Sequence, residues 1–221
     1  MEVPKQASWL VRKIFNAREW WENDMQRMQA CVKKGKFSIK TTYVKSNPEW
    51  PKVRWKSITM INGSLPKKQF IVWMAMHRRL ATVDRLLKWG VQVEQGCVLC
   101  ERDLTETHEH LFFECSYSKK LWESMLTWLG YHRRTQDWEE EVNWLIKNVN
   151  NRNPKKAIIG VVFAAVMYNI WMKRNSRRFQ QCKKTVQDRA KDIAVQIHVT
   201  GQKQQKWKPL LEKLNNYPSC L

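Results

Sequence analysis

The feature that most constrains this chain is a cluster of cysteines and histidines between positions 97 and 115, in the run CVLCERDLTETHEHLFFEC. Cys97 and Cys100 have two residues between them, a spacing that lets one tight turn present both thiolates to a tetrahedral metal ion. His110 and Cys115 supply a second ligand pair, which completes a Cys₃His set. The spacing therefore predicts one structural zinc ion, Zn2+, held by Cys97, Cys100, His110 and Cys115.

Two histidines compete for the imidazole position of this site. His108 and His110 are two residues apart, and side chains with that separation point to different sides of a helix or strand, so only one of them is expected to bind. His110 is favoured because Leu111, Phe112 and Phe113 follow it and can wall the site, whereas His108 stands in a polar stretch. The residues by themselves leave His108 open as the alternative ligand.

A zinc ion in this ligand set is expected to be structural. A catalytic zinc keeps one position open for water, and four protein ligands leave none. Zinc deaminases carry an H-x-E element ahead of P-C-x-x-C, whereas here the cysteine pair comes first and Gly96 replaces that proline. The acids Glu101, Asp103, Glu106 and Glu109 are typical of a solvated loop, and we assign them no chemistry.

The charge of the chain points to a polyanionic partner. Forty Lys and Arg against twenty Asp and Glu give a net charge of +20, and 43% hydrophobic residues argue against charge-driven disorder. Residues 96–115 carry one arginine and five acids, whereas residues 1–95 and 151–221 are strongly basic and residues 116–150 are balanced. Nucleic acid is thus the expected partner, held by the flanks of the cysteine cluster and repelled by the cluster itself.

Two basic segments supply the candidate contacts to nucleic acid. One runs from Pro66 to Gly90, and the other is the KRNSRR run at the end of a long apolar helix. Clustered Lys and Arg side chains on a helix face are typical of phosphate binding. The candidate residues are Lys67, Lys68, Arg78, Arg79, Arg85, Lys88, Lys173, Arg174, Arg177 and Arg178.

Tryptophan is unusually frequent, with thirteen copies. At helical spacing this residue is more often part of a core than of a base-stacking surface, so Trp73, Trp122 and Trp171 are expected in the core. Trp50 and Trp55 lie in a basic loop and are the candidates for base stacking, although packing over the domain remains the default expectation.

Apolar periodicity predicts a mostly α fold: a helical bundle with a small zinc-knuckle-like insertion and one short strand, FSIKTTYV. Glycines are expected to end two helices, at Gly90 and Gly130. The apolar run from Ala157 to Trp171 is shorter than the roughly 20 residues that span a bilayer, which favours a buried core helix. Helices are predicted from Trp9 to Val32, from Pro66, from Thr82, over 116–130, from Trp138 to Val149, from Lys155 to about Gln181 and from Thr185 to Val199.

Four segments are expected along the chain. They are an amphipathic N-terminal helix and linker (1–36), the zinc-binding domain (37–130), a C-terminal helical extension (131–200) and a loosely ordered tail (201–221). No secretory leader is recognisable, and three of the six cysteines are scattered, so an intracellular and, from the basic clusters, nuclear location is expected.

Several blocks together resemble one known family. FSIKTTY, LPKKQFIVWMAMHRRLATVDRLLKWGVQV, CVLC, THEHLFFECSYSKKLW and YNIWMKRNSRRF are similar, in order and spacing, to the zinc-binding domain at the C-terminal end of plant non-LTR (LINE-type) retrotransposon reverse transcriptases. The resemblance covers Phe37 to about Ala190. It implies the same four zinc ligands, because His110 opens the family's HLFxxC element.

The resemblance does not extend to catalysis. A polymerase of this family needs a paired-aspartate motif to hold its metal ions, and the sequence has no Asp-Asp pair and no recognisable endonuclease or RNase H part. We therefore expect a detached or co-opted module without enzymatic activity that binds RNA or DNA. The alternative is a structural or protein-interaction subunit of a larger, ribonucleoprotein assembly. Neither a membrane nor a small-molecule substrate is expected.

Overall fold

The computed structural model describes residues 12, 29–33, 35–46, 51–100, 102–179 and 185–214. The chain divides into two compact units, Met1–Lys52 and Val53–Leu221. Most of the predicted helix from Trp9 to Val32, together with the loop residue Trp50 and residues 215–221, lies outside the described residues.

The described part of the first unit is a small hairpin followed by a helix. Strands β1 (Val32–Lys33) and β2 (Lys36–Phe37) pair antiparallel, and helix α1 follows as Ile39–Ser46. The predicted strand FSIKTTYV is therefore wrong beyond Phe37. Ser38 Oγ accepts a hydrogen bond from the N–H of Thr41 at 3.3 Å, and this cap at the helix start outweighs the β-propensity of the residues that follow.

The second unit is a helical bundle, so the predicted mostly α fold is confirmed. Its one described sheet is the hairpin of β3 (Gly96–Cys97) and β4 (Arg102–Thr105), in which Gly96 pairs with Thr105. The helices are α2 (Lys56–Thr59), α3 (Pro66–Met76), α4 (Val83–Lys88), α5 (Ser116–Trp128), α6 (Trp138–Asn148), α7 (Pro154–Phe179), α8 (Val186–Gly201) and α9 (Lys208–Lys213).

Helix α7 is the central element of this bundle, and α3, α5, α6 and α8 pack against it. Its residues from Ala157 to Met167 are all buried. By length and composition alone Pro154–Arg178 could cross a membrane, but 67% of its apolar window is buried inside the protein. The helix is longer than the apolar run that predicted it, and its packing is that of a core helix.

Local signals set the ends of several helices. Pro66 occupies the first turn of α3, and Gly90 and Gly130 follow α4 and α5 with φ of +77° and +82°. Residues other than glycine rarely adopt such φ values, which explains why these two glycines end the helices. The predicted core stripe of α5 is confirmed, because Leu121 and Trp122 are fully buried.

The tryptophans of α3 and α7 differ in burial. Trp73 is 37% exposed, which contradicts its predicted core position, whereas Trp171 is half-buried and packs against the core. The buried residues of α3 include Val72 and Ala75, whose small side chains let α3 pack closely against α7. Trp55, a candidate for base stacking, is half-buried and meets the ring of His77 edge-on at 5.0 Å.

The segment after α8 also differs from the prediction of a loose tail. Residues Gln205–Trp207 form a 3₁₀ turn that leads into α9, and Trp207 and Leu211 are each 5% exposed. The indole of Trp207 packs directly against Gly63, where the lack of a side chain leaves room for it. Burial of Trp207 and Leu211 thus anchors the segment from Gln205 to Lys213 to the bundle.

Candidate metal centre

Four side chains converge at the β3–β4 hairpin and the start of α5. The ligand atoms of Cys97, Cys100, His110 and Cys115 all lie within 4.8 Å of one another. Three of these residues are buried and Cys100 is half-buried. All three cysteines are free thiols. The cluster is the arrangement that the sequence spacing predicts, and it could hold a metal ion.

The distances within the cluster fit a tetrahedral ion. Cys97 Sγ lies 3.9 Å from Cys115 Sγ, and Cys100 Sγ lies 3.4 Å from His110 Nε2. A tetrahedral zinc with ordinary bond lengths separates two sulfur ligands by about 3.8 Å, and a sulfur from a nitrogen ligand by about 3.6 Å. A disulfide would require sulfur atoms about 2 Å apart. The donor set and its spacing therefore fit a closed four-ligand metal site.

An unusual helical turn brings His110 and Cys115 to the same side. Residues His110–Glu114 form one π-helical turn, closed by the N–H of Cys115, which donates to the carbonyl of His110 at 2.7 Å. In an α-helix, residues five apart differ in direction by about 140°. The wider π turn reduces that angle, and such turns often occur at functional sites. Thr107 Oγ1 fixes its start by accepting from the N–H of His110 at 3.0 Å.

The two buried thiols differ in acidity. The hydrogen bond with Cys115, together with burial, raises the pKa of Cys97 to about 12. The hydrogen bond with Cys97, and the N–H groups of Ser118 and Tyr117 at the start of α5, lower the pKa of Cys115. Cys115 is thus favoured as the first thiolate, and a divalent cation would supply the charge that deprotonates Cys97.

His108 lies outside the metal cluster. Its ring packs edge-on against Trp138 and Phe112, with centroid distances of 4.2 and 5.1 Å. Burial, and to a smaller extent the charge of Arg78, lower the pKa of His108 to about 4. Of the two histidines, only His110 is placed among the thiols.

Two arginines at the end of α7 hold the backbone of residues 94–100, which we call the metal loop. Arg177 Nη1 donates to the carbonyls of Val98 and Leu99 at 2.6 and 3.2 Å, between the two cysteines of the CVLC turn. Arg178 donates to the carbonyls of Gly96 and Glu94, both at 3.3 Å. These arginines hold the backbone that presents Cys97 and Cys100, so their charges are used inside the protein.

The other two candidates in the KRNSRR run are also internal. Lys173 and Arg174 are 2% and 3% exposed, which leaves neither free to reach a phosphate group. The ammonium group of Lys173 lies over the ring of Tyr117 at 4.8 Å. Lys173 and Arg174 therefore have a structural role instead of the predicted contact with nucleic acid, because the buried face of α7 continues through them.

Glu106 is the partner of Arg174 and is fully buried. Its carboxylate accepts from Arg174 Nε and Nη2 at 2.6–3.0 Å and from the N–H of Val83 at 3.3 Å, and Arg178 lies 3.5 Å away. The acidic run around Glu106 predicts a solvated side chain, and for Glu106 that interpretation is wrong. Nothing in the local sequence distinguishes it, since its partner is 68 residues away.

The candidate contacts in the first basic segment divide into exposed and internal residues. Lys68 is 3% exposed and donates to Gln196 Oε1 at 2.7 Å, so it faces the core side of α3. Burial lowers the pKa of Lys68 to about 8. Arg85 is half-buried and donates to the carbonyl of Arg78. The exposed members are Lys67, Arg78, Arg79 and Lys88.

The comparisons with known proteins agree with this geometry. Residues 37–122 match the sequence profile of the family described as zinc-binding in reverse transcriptase. No curated protein and no solved structure matches the chain at a significant level. The four clustered ligands all lie inside the matched segment. Residues 37–122, which contain all four clustered side chains, are therefore similar to the zinc-binding segment found in reverse transcriptases.

Proposed function

We propose that this protein is a non-catalytic, zinc-stabilised module that binds single-stranded nucleic acid and derives from a plant retrotransposon reverse transcriptase. The family match on residues 37–122 supports zinc as the ion and a reverse transcriptase as the origin. The net charge of +20 supports a nucleic-acid partner, and a nuclear location would follow from it.

The observation that carries the proposal is an aromatic stripe on the exposed face of α3. Phe70 and Trp73 are 58% and 37% exposed and stack on each other, with ring centroids 6.1 Å apart. His77 continues the stripe, 4.7 Å from Trp73. Exposed aromatic rings beside cations are typical of surfaces that bind single strands, because every base has a face that can stack.

Cations lie at both ends of this aromatic stripe. Lys67 precedes it by one helical turn and also lies over the ring of Tyr168 at 5.4 Å. Arg78 and Arg79 follow it directly and are exposed. The stripe from Phe70 to His77 is about 10 Å long, and Lys67 lies about 15 Å from His77 along the helix axis. A strand laid along α3 would therefore meet positive charge where it enters and where it leaves.

The metal ion would contribute folding energy to this module. Cys97, Cys100, His110 and Cys115 would hold it, and with four protein ligands it has no position for a substrate. The ion would fix the β3–β4 hairpin to the start of α5.

Binding to a labelled single-stranded 20-mer of DNA or RNA, followed by fluorescence anisotropy, tests the proposal. We expect salt-sensitive binding, and a loss of about tenfold or more in affinity for Trp73→Leu, since one stacked base contributes about 1–3 kcal/mol. The control is Val199→Ser, which removes an exposed apolar side chain from α8. Absent or salt-insensitive binding would overturn the proposal, as would equal affinity in the Trp73 variant.

The same exposed Phe70 and Trp73 favour a second candidate, a subunit that uses this stripe to contact another protein. In that case Trp73→Leu would weaken a stoichiometric protein complex that persists after nuclease treatment. The 20-mer would then bind wild-type and variant equally.

A further inference from the structure

A cavity of about 330 Å³ lies between α4 and the residues that lead into the π turn. Small-ligand sites in proteins have volumes of about 300–1,000 Å³, so the cavity has room for a compact ligand. Its lining combines cations, carboxylates and two aromatic rings. The lining residues are Arg78, Asp84, Arg85, Lys88, Trp89, His108 and Glu109.

His108 is the most unusual residue of this lining. It is 4% exposed, and no protein group in the described part of the chain forms a hydrogen bond with its Nδ1 or its Nε2. Buried polar atoms in proteins are nearly always paired, and an imidazole offers a donor or an acceptor at each ring nitrogen. Because His108 lines the cavity, a polar group bound there is the available partner.

The charges of the lining favour an anion. Arg78, Arg85 and Lys88 contribute three cations against the carboxylates of Asp84 and Glu109. Asp84 accepts from the hydroxyl of Thr82 at 2.6 Å. Arg78 is paired with Glu109 at 2.9 Å and with Glu139 at 3.5 Å, so Arg85 and Lys88 are the cations that a bound anion would meet first. Lys88 is exposed at the rim. The lining therefore carries one more cation than carboxylates, which favours an anionic group.

The remaining feature is a flat apolar surface. Trp89 is 57% exposed, and the guanidinium of Arg85 lies over its ring at 4.9 Å. An exposed indole next to arginine is suited to stack a planar base. The cavity thus combines a surface for a base, cations for a phosphate and a buried hydrogen-bonding group.

We propose that this cavity binds one nucleotide, with the base stacked on Trp89, the phosphate beside Arg78, Arg85 and Lys88, and a polar group of the nucleotide hydrogen-bonded to His108. The ligand is a nucleoside monophosphate, either free or as the phosphorylated end of a strand. If the ligand is the phosphorylated end of a strand, the inference rests on the proposed function; binding of a free nucleotide does not depend on it.

Calorimetric titration of the full metal-loaded chain with AMP, adenosine and inorganic phosphate tests this site. We expect AMP to bind at least tenfold more tightly than either fragment, and the imidazole ¹⁵N resonances of His108 to shift on binding. His108→Phe keeps the ring packing and removes both nitrogens, and Trp89→Leu changes an exposed side chain whose loss should leave the fold intact. Both should weaken AMP binding at least tenfold, whereas Val199→Ser, at an exposed position of α8, should not change it.

Equal binding of AMP and phosphate would overturn the inference, as would unchanged AMP affinity in Trp89→Leu. Two 12-mers, with and without a 5′-phosphate, distinguish the sources of the ligand. If the phosphorylated 12-mer binds more tightly than the unphosphorylated one and competes with AMP, the ligand is a strand end. AMP binding without binding of either 12-mer identifies a free nucleotide, and in that case the inference stands while the proposed function fails.

Discussion

Replacement of Glu106 by glutamine should be among the most damaging single changes outside the metal ligands. The carboxylate is fully buried, and the side chain of Arg174 is 4% exposed. Removing one partner of a buried ion pair costs about 3–5 kcal/mol, because the other charge is left without compensation. Glutamine keeps the shape and one acceptor oxygen, so we expect a loss of roughly 3 kcal/mol in the free energy of unfolding.

Urea unfolding of the metal-loaded chain, followed by circular dichroism, measures this loss. In a thermal melt it corresponds to a midpoint lower by roughly 6–12 °C, at about 2–4 °C per kcal/mol for a unit of this size. The matched control is Glu139→Gln. Glu139 pairs with Arg54 at 2.9 Å, but both side chains are more than half exposed, so less than about 1 kcal/mol is expected.

A double variant tests the physical reason. Replacing Glu106 with leucine and Arg174 with methionine removes both charges, and buried ion pairs replaced in this way often lose little stability. The double variant should therefore be more stable than Glu106→Gln alone. A free energy of unfolding for Glu106→Gln within about 1 kcal/mol of the wild-type value would contradict this expectation. An equal loss of stability in Glu139→Gln would contradict it as well.

Three further changes test other parts of the structure. Cys115→Ser should abolish stoichiometric zinc binding and lower the melting temperature, because metal-binding energy in such sites is largely folding energy; an unchanged melt would contradict the ligand assignment. Arg177→Gln should weaken zinc affinity about 10–100-fold in a chelator competition, since it removes the support of the metal loop, and equal affinity would argue against that role. Lys68 is less basic in the folded state, so the unfolded state binds more protons between about pH 8 and 10.5, and wild-type stability should rise with pH across that window. Lys68→Met should remove this rise and increase the free energy of unfolding by roughly 2 kcal/mol at pH 7. Urea unfolding of both proteins at pH 7 and 9.5 measures the two effects, and an equal pH response of wild type and variant would contradict them.

Local sequence signals determined much of the architecture. Gly90 and Gly130 end helices at φ values that other residues rarely adopt, and the stripe through Leu121 and Trp122 gives the buried face of α5. The spacing of Cys97 and Cys100 within one turn predicted half of the metal cluster. These features depend on residues a few positions apart, where backbone geometry fixes which side chains can meet.

Where the local signals compete, the fold of the neighbouring residues decides. The β-branched run after Phe37 favours a strand, yet Ser38 caps a helix there. The π turn that aligns His110 with Cys115 has no simple periodicity in the sequence, because it interrupts the spacing of an ordinary helix.

Only the tertiary structure decided which charged and aromatic residues face water. The sequence predicts Glu106 and Arg174 on the surface, but helix packing buries both and makes them partners. Arg177 is predicted to contact phosphate and instead donates to carbonyls of the metal loop. Trp73 is predicted in the core and is 37% exposed. The physical reason is that the burial of a side chain depends on which remote element packs against it, and these partners are separated by tens of residues along the chain.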